Sequence, residues 1–188
     1  MARNSQRRSE LADAGISILA AEGARGLTHR AIDVQAGVPK GTTSNYFKTR
    51  EDVIAGLIER IGERLAPDPD VHAPLAAKAP SAELFAEYTR DIVARLLTNR
   101  EVTLALFELR LEASRRPEIG AVLGAWQRSS FRGDVEFNLA AGLPGGAKEI
   151  ALFHYAIDGL LLDRLTYPID PETSTDDIVD DLVNGLLR

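Results

Sequence analysis

Six residues from Lys40 to Asn45, KGTTSN, place an ammonium group, three hydroxyls and an amide in one short run with no apolar bulk. Side chains of this kind exchange hydrogen bonds with base edges and pair with phosphate, so the chemistry on offer is recognition of a nucleic-acid groove rather than bond making. Asn45 and Thr43 suit base edges, Lys40 suits guanine or phosphate, and Gly41, Thr42 and Ser44 complete the polar run. Thr28, Arg30, Tyr46 and Lys48 flank it at places from which phosphates would be held.

The elements needed to position these groups are legible around them. Thr28 can cap a helix whose Ala31, Ile32 and Ala36 follow three-to-four spacing, and Gly37 stands where a helix ends in a left-handed residue. Pro39 suits the first turn of a second helix, which the spacing therefore predicts to start there. Two short helices joined by a glycine turn form the outline of a helix-turn-helix, whose second helix enters the major groove. Val38 and Phe47, being apolar, are expected to pack the core beneath.

Charge is divided in the same sense. The 188 residues carry a net charge of −6, yet the first fifty hold eight Lys and Arg against four Asp and Glu, leaving ten net negative charges on the rest. A basic head on an acidic body lets one end approach phosphate while limiting indiscriminate binding. Arg3, Arg7 and Arg8 are expected to be a charged terminus, with contact to DNA as the less favoured reading. The chain has no cysteine, which excludes thiol redox chemistry and thiolate metal sites and suits a reducing cytoplasm.

An amphipathic helix with Leu11, Ala14, Ile18 and Leu19 inward precedes the motif, and Asp13 within it argues against a secretory signal. A fourth helix from about residue 50 to 65 buries Val53, Ile54, Leu57, Ile58, Ile61 and Leu65. Pro67, Pro69, Pro74 and Pro80 then predict a helix-free linker over 66–80. Residues 81–188 read as a second, wholly helical domain. Ser81 caps its first helix, with Leu84, Phe85 and Tyr88 inward. A helix over 101–114 carries Leu104, Phe107 and Leu111 on one face, and Pro117 opens a long helix containing Trp126, Phe131 and Phe137. Another spans about 147–166 and is apolar on several faces, and Thr175 caps a last one with Ile178, Leu182, Val183 and Leu186 in a stripe. The fold expected is all-α, with about nine helices and a head over 1–50. No apolar run approaches the length of a membrane span.

The stretch Ala36-Gly37-Val38, Lys40-Gly41-Thr42 and Tyr46-Phe47-Lys48 resembles the tetracycline-repressor (TetR) family of bacterial transcription regulators. The resemblance implies a DNA-binding head and a helical body that binds an effector and dimerises, and hence a repressor that leaves a palindromic operator when a small apolar or amphipathic ligand binds. Two positions depart from the family pattern: Ser44 stands where an aromatic is usual, and Asp33 where a small residue is usual. Asp33 is expected to accept hydrogen bonds near the start of the second motif helix, because an uncompensated buried carboxylate is costly. For the ligand, Phe85, Tyr88, Phe107, Trp126, Phe131, His154 and Asp158 are the expected lining. For the dimer, the expected contacts are Leu152, Leu160, Leu161, Leu182 and Leu186.

An enzyme is disfavoured, since His29, His72 and His154 are scattered, no metal-ligand spacing occurs, and nothing calls for a cofactor. A helical adaptor that binds protein through its body would leave the Lys40 run unexplained.

Overall fold

The computed structural model describes residues 2–187, and among these every regular element is a helix. Ten helices follow in order: α1 Ala2–Gly26, α2 His29–Gln35, α3 Thr42–Tyr46, α4 Arg50–Arg64, α5 Pro69–Ala76, α6 Ala82–Thr98, α7 Arg100–Ala113, α8 Pro117–Ala140, α9 Ala147–Leu165 and α10 Thr175–Leu186. The one beyond the nine expected is α5, which the prolines of the linker were expected to forbid. In α5, Pro69 occupies the first turn, where its missing N–H costs nothing, and Asp68 caps the helix by accepting from Asp70 N–H. Pro74 lies inside this short helix, where it has no N–H to give the Asp70 carbonyl, and the helix ends at Ala76.

The chain forms two compact units, one holding the residues up to Ala66 with Asn99–Gln127, the other Pro67–Thr98 with everything from Arg128. Compactness thus does not follow chain order: α7 and the first half of α8 fold with the N-terminal helices.

In the first unit α1 packs against α2, α4 and α7. The sequence stripes meet in one core, where Leu11, Ala14, Ile18 and Leu19 of α1 and Val53, Ile54, Leu57, Ile58 and Ile61 of α4 are all buried. Phe47 is buried with them, and Val38 is half-buried at the edge. A Cβ on Gly56 would lie 2.4 Å from the Phe47 ring, so glycine is what lets α4 pass over it. α1 runs past its expected end and breaks at Gly23, where φ is 68°. On α7 the buried face is Val102, Ala105 and Leu109, whereas Leu111 is 53% exposed. The helix has apolar residues on two sides, Val102, Ala105 and Leu109 on one and Leu104, Phe107 and Leu111 on the other, so spacing alone did not select its face, and small Ala105 lies fully buried on the inward side.

In the second unit α6 packs on α5, α9 and α10, and α9 on α10. Ser81 caps α6 as expected, its hydroxyl accepting from Leu84 N–H. Ser174, not Thr175, caps α10, and Val179 and Val183 form its buried face. The turn from α8 to α9 is stapled by Asn138, whose buried side-chain amide donates to the carbonyls of Leu143, Pro144 and Gly145.

Candidate nucleic-acid interface

α2 and α3 are too short to be stable alone, so their geometry depends on what grips them. α2 begins where the Thr28 hydroxyl accepts from Ala31 N–H and ends at Ala36, after which Gly37 takes φ 64°. α3 does not begin at Pro39. Residues 39–42 form a turn closed by Thr42 N–H to the Pro39 carbonyl, and Gly41, at φ 88°, precedes the helix. A left-handed glycine offers no side chain to cap the helix. The cap comes from outside it.

That cap is Asp33, which is 3% exposed. Its Oδ2 accepts from Gly41 N–H at 2.6 Å, and its Oδ1 accepts from Thr43 N–H at 2.7 Å and from the Thr43 hydroxyl at 2.6 Å. Burial pushes the Asp33 carboxyl up, but the bonds from Thr43 and Gly41 outweigh it and hold the group below its usual range. The carboxylate therefore stays ionised beneath the start of α3, where a negative charge also suits the helix dipole.

The same bonds remove Thr43 from the reading surface. It is fully buried with its hydroxyl committed to Asp33, so it cannot meet a base edge, contrary to the sequence expectation. The Gly41 N–H is likewise engaged. Lys40, Ser44, Asn45 and Lys48 are exposed, as are Thr28 and Arg30 at the start of α2, while Thr42 and Tyr46 are half-buried. The Thr42 hydroxyl donates to the Pro39 carbonyl. Ser44 and Asn45 are thus the α3 side chains left facing outward with free polar atoms to offer.

Other residues around the motif carry roles that spacing did not reveal. Arg50 reaches from α4 to the carbonyls of Leu27 and Ala24, both at 2.8 Å, and closes the end of α1. Arg7 pairs with Glu10 within α1, and Arg8 is packed against the motif rather than trailing as part of an arm. The side chain of Arg3 lies outside the described residues.

The ligand-lining set is divided between the two units. Phe107 and Trp126 belong to the first unit, Trp126 lying against Gly62 and the core of α1, α4 and α7. In the second unit Phe85 meets Phe153 with ring centres 4.7 Å apart, and Tyr88 stands edge-on to Phe137 and His72. Phe131 and His154 pair at 5.7 Å, and His154 Nε2 lies 3.0 Å from Asp134. Asp158 is half-buried on α9. A cleft of about 1000 Å³ lies instead in the first unit beside the α1 break, walled by Glu22, Arg25, Glu108, Glu112, Arg115 and Arg116 and by none of the expected aromatics.

The dimer set also needs revision. Leu161 is 1% exposed and Leu160 is buried, both within their own chain, because α9 turns these residues toward the second unit's interior. Leu152, Leu182 and Leu186 are half-buried, and the exposed apolar groups of α9 are Tyr155 and Leu162.

A helix-turn-helix whose reading helix is seated on a buried carboxylate, within an all-helical chain, defines a DNA-binding regulator class. Residues 80–188 match the model of the tetracycline repressor-like C-terminal domain, and the chain belongs to the TetR family of transcriptional regulators. These are non-enzymatic DNA-binding proteins that respond to ligands. Among solved structures, a TetR-family member from Streptomyces coelicolor A3 is 27% identical at a TM-score of 0.74, covering 97% of this chain and 98% of its own. The multidrug binding protein EbrR complexed with malachite green is 28% identical at a TM-score of 0.70, with 97% and 98% covered. A transcriptional regulator from Rhodococcus sp. Rha1, 18% identical at a TM-score of 0.72 with 96% and 95% covered, shares the fold. No curated protein sequence matches the chain. Among the described residues no helix is long and apolar enough to cross a membrane, and no cluster of acidic and histidine side chains could hold a metal ion.

Proposed function

We propose that the protein is a repressor that binds a palindromic operator as a homodimer and is released by a small aromatic or amphipathic effector. The observation that carries the DNA reading is the seating of α3: Asp33 fixes its start while Ser44, Asn45, Lys40 and Lys48 remain exposed. Ser44 and Asn45 read bases, and Lys40 and Lys48, with Thr28 and Arg30, hold phosphates. Two heads about 34–36 Å apart would meet successive major grooves.

Support for the effector comes from the aromatic cluster of the second unit, Phe85 with Phe153 and Tyr88 with Phe137 and His72, whose rings an aromatic molecule would meet once the buried Phe85, Tyr88 and Phe153 part to admit it. EbrR is a relative complexed with ethidium and with malachite green. An effector that prefers a body conformation with badly spaced heads lowers DNA affinity by that same preference.

Gel-shift titration on the promoter region beside the protein's own gene tests the reading, with and without ethidium. Wild type binds, Lys40→Ala and Lys48→Ala bind more weakly, and each lost phosphate contact lowers the salt slope by about 0.9 per head. Absence of binding to any nearby promoter at low salt refutes it.

A further inference from the structure

α3 is gripped at its far end as well as at its start. His29 Nε2 lies 2.8 Å from the Phe47 carbonyl, and because a carbonyl can only accept, Nε2 carries the proton. Arg8 Nη1 donates to the Tyr46 carbonyl at 3.3 Å, and its guanidinium lies 4.5 Å from the centre of the Phe47 ring. These carbonyls belong to the last turn of a helix that has no partners for them, where donors and positive charge are favoured.

The two grips share one origin. His29 and Asp33 are four residues apart on α2, hence on one face and about one turn apart. Five residues of α3 span about 7.5 Å, so one face of α2 reaches both ends of it. Asp33 takes the N–H groups at the start and His29 the carbonyl at the end. With both ends held, α3 has little freedom to roll about its axis, and the outward direction of Ser44 and Asn45 is set.

We infer that His29 is a positioning residue for DNA reading: through the Phe47 carbonyl it sets the roll of α3 and so the aim of Ser44 and Asn45, with Arg8 as a second hold on the same turn. The inference rests on the proposal that α3 reads DNA. Loss of the His29 bond should impair discrimination between sequences while leaving the phosphate contacts in place. A glutamine at this position can place its Nε2 amide near the same carbonyl and restore the bond.

Fluorescence anisotropy on a duplex from the protein's own promoter and on a scrambled duplex, each over a range of salt, reads these effects separately. His29→Ala should bind the promoter duplex at least tenfold more weakly, keep its affinity for the scrambled duplex, and keep the wild-type salt slope. His29→Gln should recover to within about threefold of wild type. Arg8→Ala should lose part of the same discrimination. Unchanged promoter affinity in His29→Ala overturns the inference, as does an equal loss on both duplexes with a shallower slope, which would make His29 a phosphate contact. Should His29→Ala fail to fold, His29→Gln decides: a folded glutamine variant without discrimination overturns the inference. Failure of wild type to prefer the promoter duplex overturns the DNA reading itself, whatever the variants do.

Discussion

Asp33 Oδ1 receives two hydrogen bonds from a single residue, the Thr43 N–H at 2.7 Å and the Thr43 hydroxyl at 2.6 Å. The carboxylate of one motif helix thereby supplies the cap that the other lacks, and all three groups are out of water. Replacing Asp33 with alanine strands two N–H groups and a hydroxyl, at about 1–3 kcal/mol for each group left unpaired. Urea unfolding of Asp33→Ala should show a loss in that range or larger, whereas Thr43→Val, which keeps the backbone bond, should lose about 1 kcal/mol.

The depressed Asp33 carboxyl also gives stability a pH dependence of known sign. Its folded value lies below the ordinary 3.8, so its contribution is complete above that value and disappears as pH falls through the lower, folded one. Unfolding curves of wild type and Asp33→Asn taken from pH 6 downward should converge in acid, because the variant has no carboxylate to lose. Parallel curves would show that Asp33 is not the group responsible.

Gly56 and Phe47 stand in a relation that only glycine permits. A methyl group at position 56 would fall 2.4 Å from Phe47 Cε1, and the ring is fully buried. Gly56→Ala should therefore destabilise the protein by about 1–3 kcal/mol despite the better helix propensity of alanine, as read from thermal melting. Since Phe47 follows α3 directly, the same variant should bind promoter DNA less well. A neutral or stabilising result would mean that the ring yields more easily than its burial indicates.

The two sides of legibility meet in α2 and α3. Ile32, Phe47 and the partnered Asp33 were readable because burial and the cost of a lone carboxylate constrain them locally. The inward turn of Thr43 was not, since a hydroxyl is equally at home in a groove or on a buried carboxylate, and only the roll of α3 decides. The faces of α7 and α9 escaped for a related reason: both are apolar on several sides, so Leu111 and Leu161 could be placed only once their packing neighbours were known. The short α5 was hidden because its prolines signal a break whether they open a helix or end one.

Asp13 joins α1 to α4 through Arg60, whose Nε and Nη2 each lie 2.9 Å from one of its two carboxylate oxygens, while Arg64 approaches Oδ1 at 3.3 Å. The paired bond to Asp13 raises the already high Arg60 pKa further. All three side chains remain about a third exposed, so water and salt screen the pair, and its contribution is about 1 kcal/mol. Arg60→Ala should lower stability by that amount at low salt and by less at 1 M, where screening extends to about 3 Å. An undiminished loss at high salt would assign the effect to packing of the arginine stem.

On α9, Leu161 and Leu162 are neighbours in sequence with opposite environments, 1% and 50% exposed. Leu162 lies seven residues from exposed Tyr155, so both project from one helical face, beside which half-buried Leu152 also lies. If that face forms the proposed dimer, Leu162→Asp should give a folded monomer by analytical ultracentrifugation, with an unchanged far-ultraviolet helix signal. Its DNA affinity should fall steeply, because each head would then bind its half-site without the other. Leu161→Asp, by contrast, puts a carboxylate into the chain's own interior and should cost folding itself. A Leu162→Asp protein that remains dimeric would move the interface off this face of α9 and leave Leu182 and Leu186 of α10 as the apolar residues to test next.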